Sequence, residues 1–254
     1  MNQNLILKSV ESPKDFDAFV RFPFDLYKDN PYWVPPLDKQ EIETLNPDIN
    51  PAYRNASTRF FLAFRGDKIV GRIAAIINWI EVEKLGKSKV RFGWFDVVDD
   101  IEVTKLLLEK VRLFGEEHNL KTIEGPMGFS NLDKAGMLIE GFEECNTMIT
   151  LYNSPYYKNH LKVLGYTINA KWVEYEIKID DFEDSPEKVK RFSKLIMKRY
   201  KLSLLQFKTK NDILPYIDQM FELLDKTYNK LQTFVPIQNY QIEYYKKRYI
   251  RFIH

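Results

Sequence analysis

The chain has 254 residues, of which 44% are hydrophobic and 29% charged, with a formal net charge of +2. That describes a folded protein with one large domain, or one domain and part of another. A single cysteine, Cys145, excludes an internal disulfide, three scattered histidines give no metal-ligand cluster, and no apolar run is long enough to span a bilayer. The N-terminal MNQNLILKSV has no charged start and no apolar signal core, so a reducing cytoplasm is the expected setting.

Leu5 to Val10 reads as a short strand, and Ser12-Pro13 opens a helix carrying Phe16, Phe19 and Val20 on one side. DNPYWVPPLDKQE follows as a proline-rich loop. Its Tyr32 and Trp33 either close over the core or line a substrate entrance. A second short helix covers Leu37 to Leu45. Phe60 to Phe64 and Ile69 to Ile77 form a hairpin turning at Arg65-Gly66-Asp67-Lys68. Trp79 to Lys89 is polar and reads as a loop.

Lys89 to Val98 is a strand dense in aromatic and β-branched residues. The helix after it puts Val103, Leu107, Val111 and Phe114 on one face, with Asp99 or Asp100 as its N-cap. A buried strand running into a helix N-terminus is an anion-attracting arrangement in α/β proteins. Thr122 to Glu124 is a short strand. The glycine-spaced segment Gly125 to Asn146 is too apolar to stay in solvent, so it is expected to fold back and form one wall of the main pocket, with Ser130, Asn131 and Asp133 facing a ligand. Cys145 reads as a small buried hydrophobe. Met148 to Tyr152 and Lys171 to Ile179 read as strands, with a helix from Pro155 to Leu164 closed by Gly165 between them.

Asp180 to Pro186 is acidic and marks a boundary, dividing a domain at 1–180 from a segment at 181–254. From Ser185 onward about 15 Lys/Arg stand against about 6 Asp/Glu. Lys188, Lys190, Arg191, Lys194, Lys198 and Arg199 alternate with apolar residues at helical spacing, which reads as a solvated helix face rather than a nucleic-acid surface. A helix to Tyr200, a strand at Leu202 to Phe207, a helix at Ile213 to Leu231, an aromatic-proline turn at Phe234-Val235-Pro236 and a helix at Gln238 to Ile253 follow. This order repeats that of residues 5 to 45. It reads as the start of a second copy of the same unit, either truncated before its sheet or docked on the first domain.

Six motifs between residues 20 and 180 carry a family resemblance. They are F-P-F-x-L-Y and Y-W-V-P-P (Phe22 to Pro36), R-F-G-W-F-D (Arg91 to Asp96), E-G-P-M-G-F-S (Glu124 to Ser130), G-M-L-I-E-G-F (Gly136 to Phe142) and Y-N-S-P-Y-Y (Tyr152 to Tyr157). With the element order, they resemble the GNAT acyl-CoA N-acyltransferase superfamily, and within it a bacterial group of tandem GNAT-like proteins. The resemblance implies an α/β fold of the α+β type: a mixed, mostly antiparallel sheet flanked by helices, followed by the start of a second GNAT-like half. It implies transfer of an acyl group from acetyl-CoA or another acyl-CoA to the amine of a small or amino-acid-like acceptor. The alternative is a degenerate half that binds a ligand or scaffolds a second, active half. Partners would be the acceptor and either a second half or another copy of the chain, with no membrane, nucleic acid or metal.

In that resemblance the central strand offers backbone groups at Val97 and Val98 to the cofactor. Asp96 sits where a general base could be, or it pairs with Arg91 or Lys89. Tyr157 would protonate the departing thiolate, with Asn153 and Tyr156 beside it; otherwise Asn153 is a cap and the tyrosines are core. Glu140 lies in an apolar string that would raise its pKa if it is desolvated, and otherwise is a solvated loop carboxylate. Tyr32, Trp33, Trp94, Phe129 and Phe142 would line an aromatic groove or fill the core. The pyrophosphate position falls at 98–105, VDDIEVTK, which has no glycine, arginine or glutamine. Asp99, Asp100 and Glu102 there satisfy the helix dipole and repel phosphate, an argument against CoA binding by this half.

Overall fold

A computed structural model describes residues 4–147, 150–176 and 185–249. Five strands, β1 (Leu5–Ser9), β2 (Ala56–Arg65), β3 (Lys68–Asn78), β4 (Lys89–Val97) and β5 (Thr122–Glu124), form one sheet in that order. β1 to β4 are antiparallel neighbours, and β5 runs parallel to β4 over Lys89 to Arg91. The helices are α1 (Pro13–Leu26), α2 (Asp38–Leu45), α3 (Ile101–Glu117), α4 (Tyr156–Val163), α5 (Glu187–Tyr200), α6 (Lys210–Tyr228) and α7 (Asn239–Tyr249). This is the mixed, mostly antiparallel sheet flanked by helices that the resemblance implies.

Alternation along the strands sorts the core into two layers. Phe61, Ala63, Ile73, Ala75 and Ile77 face α3 and α4, where Val103, Leu107, Val111 and Leu161 are buried. Leu62, Ala74 and Ile76 face α1 and α2, packing on Phe19, Val20 and Leu45. Ser12 and Asp15 cap α1 reciprocally, and Asp100 caps α3 by accepting from the Glu102 N–H at 3.0 Å. Gly66 has φ +62° in the hairpin turn, a conformation open to glycine.

Several expectations are corrected. Trp79 to Lys89 contains a π-helical turn, Ile80–Lys84, which buries Glu81. Leu202 to Phe207 forms no strand: among the described residues no neighbour offers it a ladder, and alternation alone does not hold an extended chain. Thr150 to Tyr152 and Lys171 to Glu176 likewise form no strand, and the rest of those two predicted strands, with the acidic run at 180–184, lies outside the described residues. Cys145 is exposed, not buried.

Residues from 185 on touch the sheet and its neighbouring loops at a few points. The Thr233 carbonyl accepts from Arg91, and Asn131 Oδ1 accepts from the Val235 N–H at 3.4 Å. Tyr240 of α7 bonds Asn55.

Candidate functional site

The site is set up by an irregularity in β4. Ala74 pairs with Gly93 and Arg72 with Asp96, so Trp94 and Phe95 together oppose the single residue Ile73. This is a β-bulge, and Trp94 occupies it with φ +44°. One extra residue reverses the alternation beyond it. Val90 and Phe92 face α3 before the bulge; Phe95 and Val97 face it afterwards. Asp96 is thereby turned to the α1 side, opposite Arg72. Gly93 allows the chain after β5 to cross close to β4: a Cβ there would collide with the Met127 carbonyl, and the Met127 N–H donates to the Phe92 carbonyl at 2.7 Å.

Arg72 and Asp96 are both buried, and Arg72 Nε donates to Asp96 Oδ2 at 2.7 Å. Arg72 also donates to the Phe19 carbonyl at 2.7 Å, with its guanidinium over the Phe19 ring. In a regular helix that carbonyl would accept from the N–H of residue 23. Residue 23 is proline and has none. The proline within α1 thus frees an acceptor that fixes Arg72, and Arg72 fixes Asp96.

The other carboxylate oxygen leads outward. Tyr27 donates its hydroxyl to Asp96 Oδ1 at 3.1 Å, and the Tyr27 and Tyr157 hydroxyls are 2.9 Å apart. Tyr157 in turn accepts from the Val97 N–H at 2.7 Å. With Tyr27 donating to the carboxylate, Tyr157 donates to Tyr27, which gives a one-way chain: Tyr157 to Tyr27 to Asp96. Burial, together with neighbouring negative charge, holds both hydroxyls well above the ordinary tyrosine value, so both stay protonated. Tyr156 donates to the Val97 carbonyl at 2.7 Å. On this edge of β4 two tyrosine side chains bond the backbone groups of Val97, where a strand or ligand would otherwise pair.

Beside this cluster lies a cleft of about 490 Å³, lined by Asp25, Asp29, Tyr32, Phe142, Glu143 and Tyr152 among others. Tyr152 joins cleft to cluster: its ring meets that of Tyr27, and its hydroxyl accepts from Asn30 at 2.6 Å. Trp33 packs on Tyr27 from another side. Asn153 is not a cap; its amide pairs with both backbone groups of Leu138 and pins the glycine-spaced loop to the start of α4.

The N-terminus of α3, beside Val98, has its own occupants. Asp100 caps it and pairs with Arg65, and Asp99 Oδ1 lies 3.1 Å from His160 Nε2, whose Nδ1 bonds Thr104 at 2.9 Å. A diphosphate at this end would displace a bonded cap and meet carboxylates, so these residues do not fit one.

Of the residues predicted for the site, Asp96, Val97, Tyr156 and Tyr157 come together, and Trp33 and Tyr32 lie near them. Trp94, Phe129, Ser130 and Asn131 do not join them. Phe129 is core against Tyr53 and Trp94, Trp94 donates to Glu41 at 2.7 Å, and Ser130 and Asn131 form a turn near Val235. Glu140 is exposed, which is the solvated loop carboxylate of the two readings. Asp96 pairs with Arg72, not with Arg91 or Lys89. Arg72 and Tyr27 were not singled out in the sequence, although an arginine inside the apolar run Ile69 to Ile77 is a signal of a buried partner.

Arg91 and Lys89 belong to a second buried cluster around Glu81. Arg91 Nε and Lys89 Nζ bond its two oxygens at 2.7 and 2.9 Å, and Arg91 also reaches the Gly128 and Thr233 carbonyls. Burial pushes the Glu81 carboxyl up, but the two cations outweigh it and hold it below its ordinary value. Among the described residues no group of His, Cys, Asp and Glu could hold a metal, and no helix is long and apolar enough to cross a membrane.

No family model matches the chain. It is 29% identical over 181 residues to protein YghO of Escherichia coli (strain K12), covering 71% of this chain and 46% of that protein. It is 28% identical over 195 residues to a bacterial ceramide synthase of Caulobacter vibrioides, covering 75% of this chain and 49% of that protein. The chain spans about half the length of these curated relatives. Among solved structures it is similar to a Clostridium acetobutylicum protein, described as a predicted acetyltransferase with acetyl-CoA. That likeness has 13% identity and a TM-score of 0.43, covering 68% of this chain and 96% of the other.

Proposed function

We propose that this chain is part of an N-acyltransferase and supplies its proton-handling side. The observation that carries the reading is the buried chain from Tyr157 through Tyr27 to Asp96. Amide formation from an amine and an activated acyl group forms one C–N bond, breaks the bond to the leaving group, and moves one proton from nitrogen to that group. A carboxylate joined through a hydroxyl to a second, protonated hydroxyl can accept at one end and donate at the other. In this reading Asp96 is the base and Tyr157 the acid; once Asp96 has taken the amine proton the chain turns over, Asp96 donating to Tyr27, Tyr27 to Tyr157 and Tyr157 to the leaving group, with Arg72 a positioning residue.

The acceptor would approach by the cleft at Tyr32, Phe142 and Tyr152, where three carboxylates, Asp25, Asp29 and Glu143, against one cation, Lys28, favour an ammonium group. The name of one relative supports an amine with an apolar tail, since a ceramide is a long-chain amino alcohol acylated on nitrogen. The acyl donor expected from the GNAT resemblance is acyl-CoA. Its diphosphate would need residues other than the start of α3.

The test is thiol release by the purified protein from acyl-CoAs, acetyl to palmitoyl, with a long-chain amino alcohol or an amino acid as acceptor. Release that depends on the amine, and is lost in Asp96→Asn and Tyr157→Phe while both stay folded, is expected. Release unchanged in both variants would end this reading. A second reading, a half that binds the acceptor while another half performs the transfer, is favoured by the tyrosine bonds to Val97. Calorimetric heat with the amine but none with any acyl-CoA would favour it.

A further inference from the structure

We propose that α5 docks on an anionic lipid surface. Val189, Phe192, Ile196 and Tyr200 follow one another at spacings of three and four and share one face of this helix. Arg191, Lys194, Lys198 and the capping Lys201 share the opposite face by the same spacing. The apolar face is uncovered: these four residues are 52, 55, 46 and 62% exposed, and no residue of α5 is buried. A shallow groove of about 520 Å³ runs along it between Lys188, Phe192 and Ile196.

The charge pattern selects the occupant. From Glu187 to Lys201 there are seven Lys/Arg and one acid, Glu187, which pairs with Lys190 at 3.3 Å. Among the described residues no carboxylate pairs with Arg191, Lys194 or Lys198. In contrast, α3 is an ordinary surface helix. It buries one face, and its exposed Arg112 is matched by Glu109 and Glu116. A protein surface covering Val189, Phe192 and Ile196 would leave the cationic face of α5 unanswered. A layer of anionic headgroups over acyl chains satisfies both faces of a helix lying in its plane. This inference stands on α5 alone and is independent of the proton chain.

The test is flotation of the full chain with vesicles of phosphatidylcholine alone or mixed with phosphatidylglycerol. Binding to the mixed vesicles more than about tenfold above the neutral ones is expected, falling as salt rises. Two variants, Phe192→Ser/Ile196→Ser and Arg191→Glu/Lys194→Glu/Lys198→Glu, should each abolish it. Neither touches a buried residue, so an unchanged thermal midpoint is expected. No binding to anionic vesicles overturns the proposal, as does binding that survives both variants. Retention on heparin that survives Phe192→Ser/Ile196→Ser, without vesicle binding, would assign the face to a polyanion instead. A dimer in sedimentation that the same variant dissolves, again without vesicle binding, would assign it to a second copy.

Discussion

Two acid–arginine pairs lie buried against the same sheet, and they end differently. Glu81 and Arg91 end in ions and carbonyls: the carboxylate is held by Arg91 and Lys89, Arg91 also donates to the Gly128 and Thr233 carbonyls, and Lys89 also pairs with Glu124. The outer partners are cations, backbone carbonyls and, through Lys89, the Glu124 carboxylate; no hydroxyl is among them. Asp96 and Arg72 are also buried, though less completely, and the second carboxylate oxygen opens onto Tyr27 and then Tyr157. Hydroxyls can both donate and accept. The first cluster therefore holds the π-helical turn, β4 and the Thr233 segment together. In the proposed reading the second carries a proton between Asp96 and the edge of β4. Buried charge is common to both clusters, and in the proposed reading the hydroxyl ending is what makes one of them a candidate reacting site.

The largest effect should come from opening the closed cluster. Glu81→Gln leaves Arg91 and Lys89 facing an amide, and is expected to lower stability by about 3–5 kcal/mol. Urea unfolding measures it, and a loss below about 1 kcal/mol would break the comparison, because such a cluster would have to be hydrated. Its pH dependence has a definite sign. The folded carboxyl lies below its ordinary 4.5, so its stabilisation is complete above that value and is lost as pH falls through the lower folded value. Glu81→Gln should remove that part of the acid limb.

Asp96→Asn should cost less, about 2 kcal/mol, because Arg72 keeps the Phe19 carbonyl and ring when its carboxylate partner loses its charge. The two variants should also separate by activity per folded molecule, with amine acylation lost in Asp96→Asn and kept in Glu81→Gln. Equal loss in both would mean that the hydroxyl ending has no chemical meaning.

Next in size is Tyr157→Phe. It leaves the buried Val97 N–H without its partner, for about 1–2 kcal/mol. Here the pH sign is reversed. The folded hydroxyl titrates above its ordinary 10, so its contribution is complete below pH 10 and is lost as pH rises beyond it. Tyrosinate absorbance should develop for Tyr27 and Tyr157 only as the protein unfolds in alkali. Early titration of either, seen as a difference between wild type and the phenylalanine variants, would show the chain open to water.

Much of this frame was legible in the chain. Val103, Leu107, Val111 and Phe114 share the buried face their spacing predicts, and Gly66 turns the hairpin. Asp96 and Tyr157 meet through Tyr27, although they lie 61 positions apart in sequence. What pattern did not reveal was the reversal in β4. A continuous apolar run reads the same with or without a bulge, and only Gly93 hinted at one. Tyr27 and Pro23 were visible as parts of F-P-F-x-L-Y, but their use depends on Arg72, brought over from β3. Leu202 to Phe207 misled because strand pattern says nothing about whether a partner strand exists.

The smallest expected effect concerns a third acid–arginine pair, Asp100 and Arg65, which sits at the start of α3 and is partly open to water. Asp100→Asn keeps a side-chain oxygen for the Glu102 N–H, and asparagine caps as well as aspartate does. Only the ion pair and the charge at the helix dipole are lost, so a change of about 0.5 kcal/mol is expected, small enough to need a thermal midpoint comparison. The same variant tests the anion question. If Asp100 alone kept a diphosphate from this helix, Asp100→Asn would gain calorimetric heat with CoA. With Asp99 and Glu102 still present and the cap still bonded, no gain is expected. A gain would return this end of β4 to cofactor binding, and the tyrosine bonds at Val97 would then be contacts that a ligand displaces.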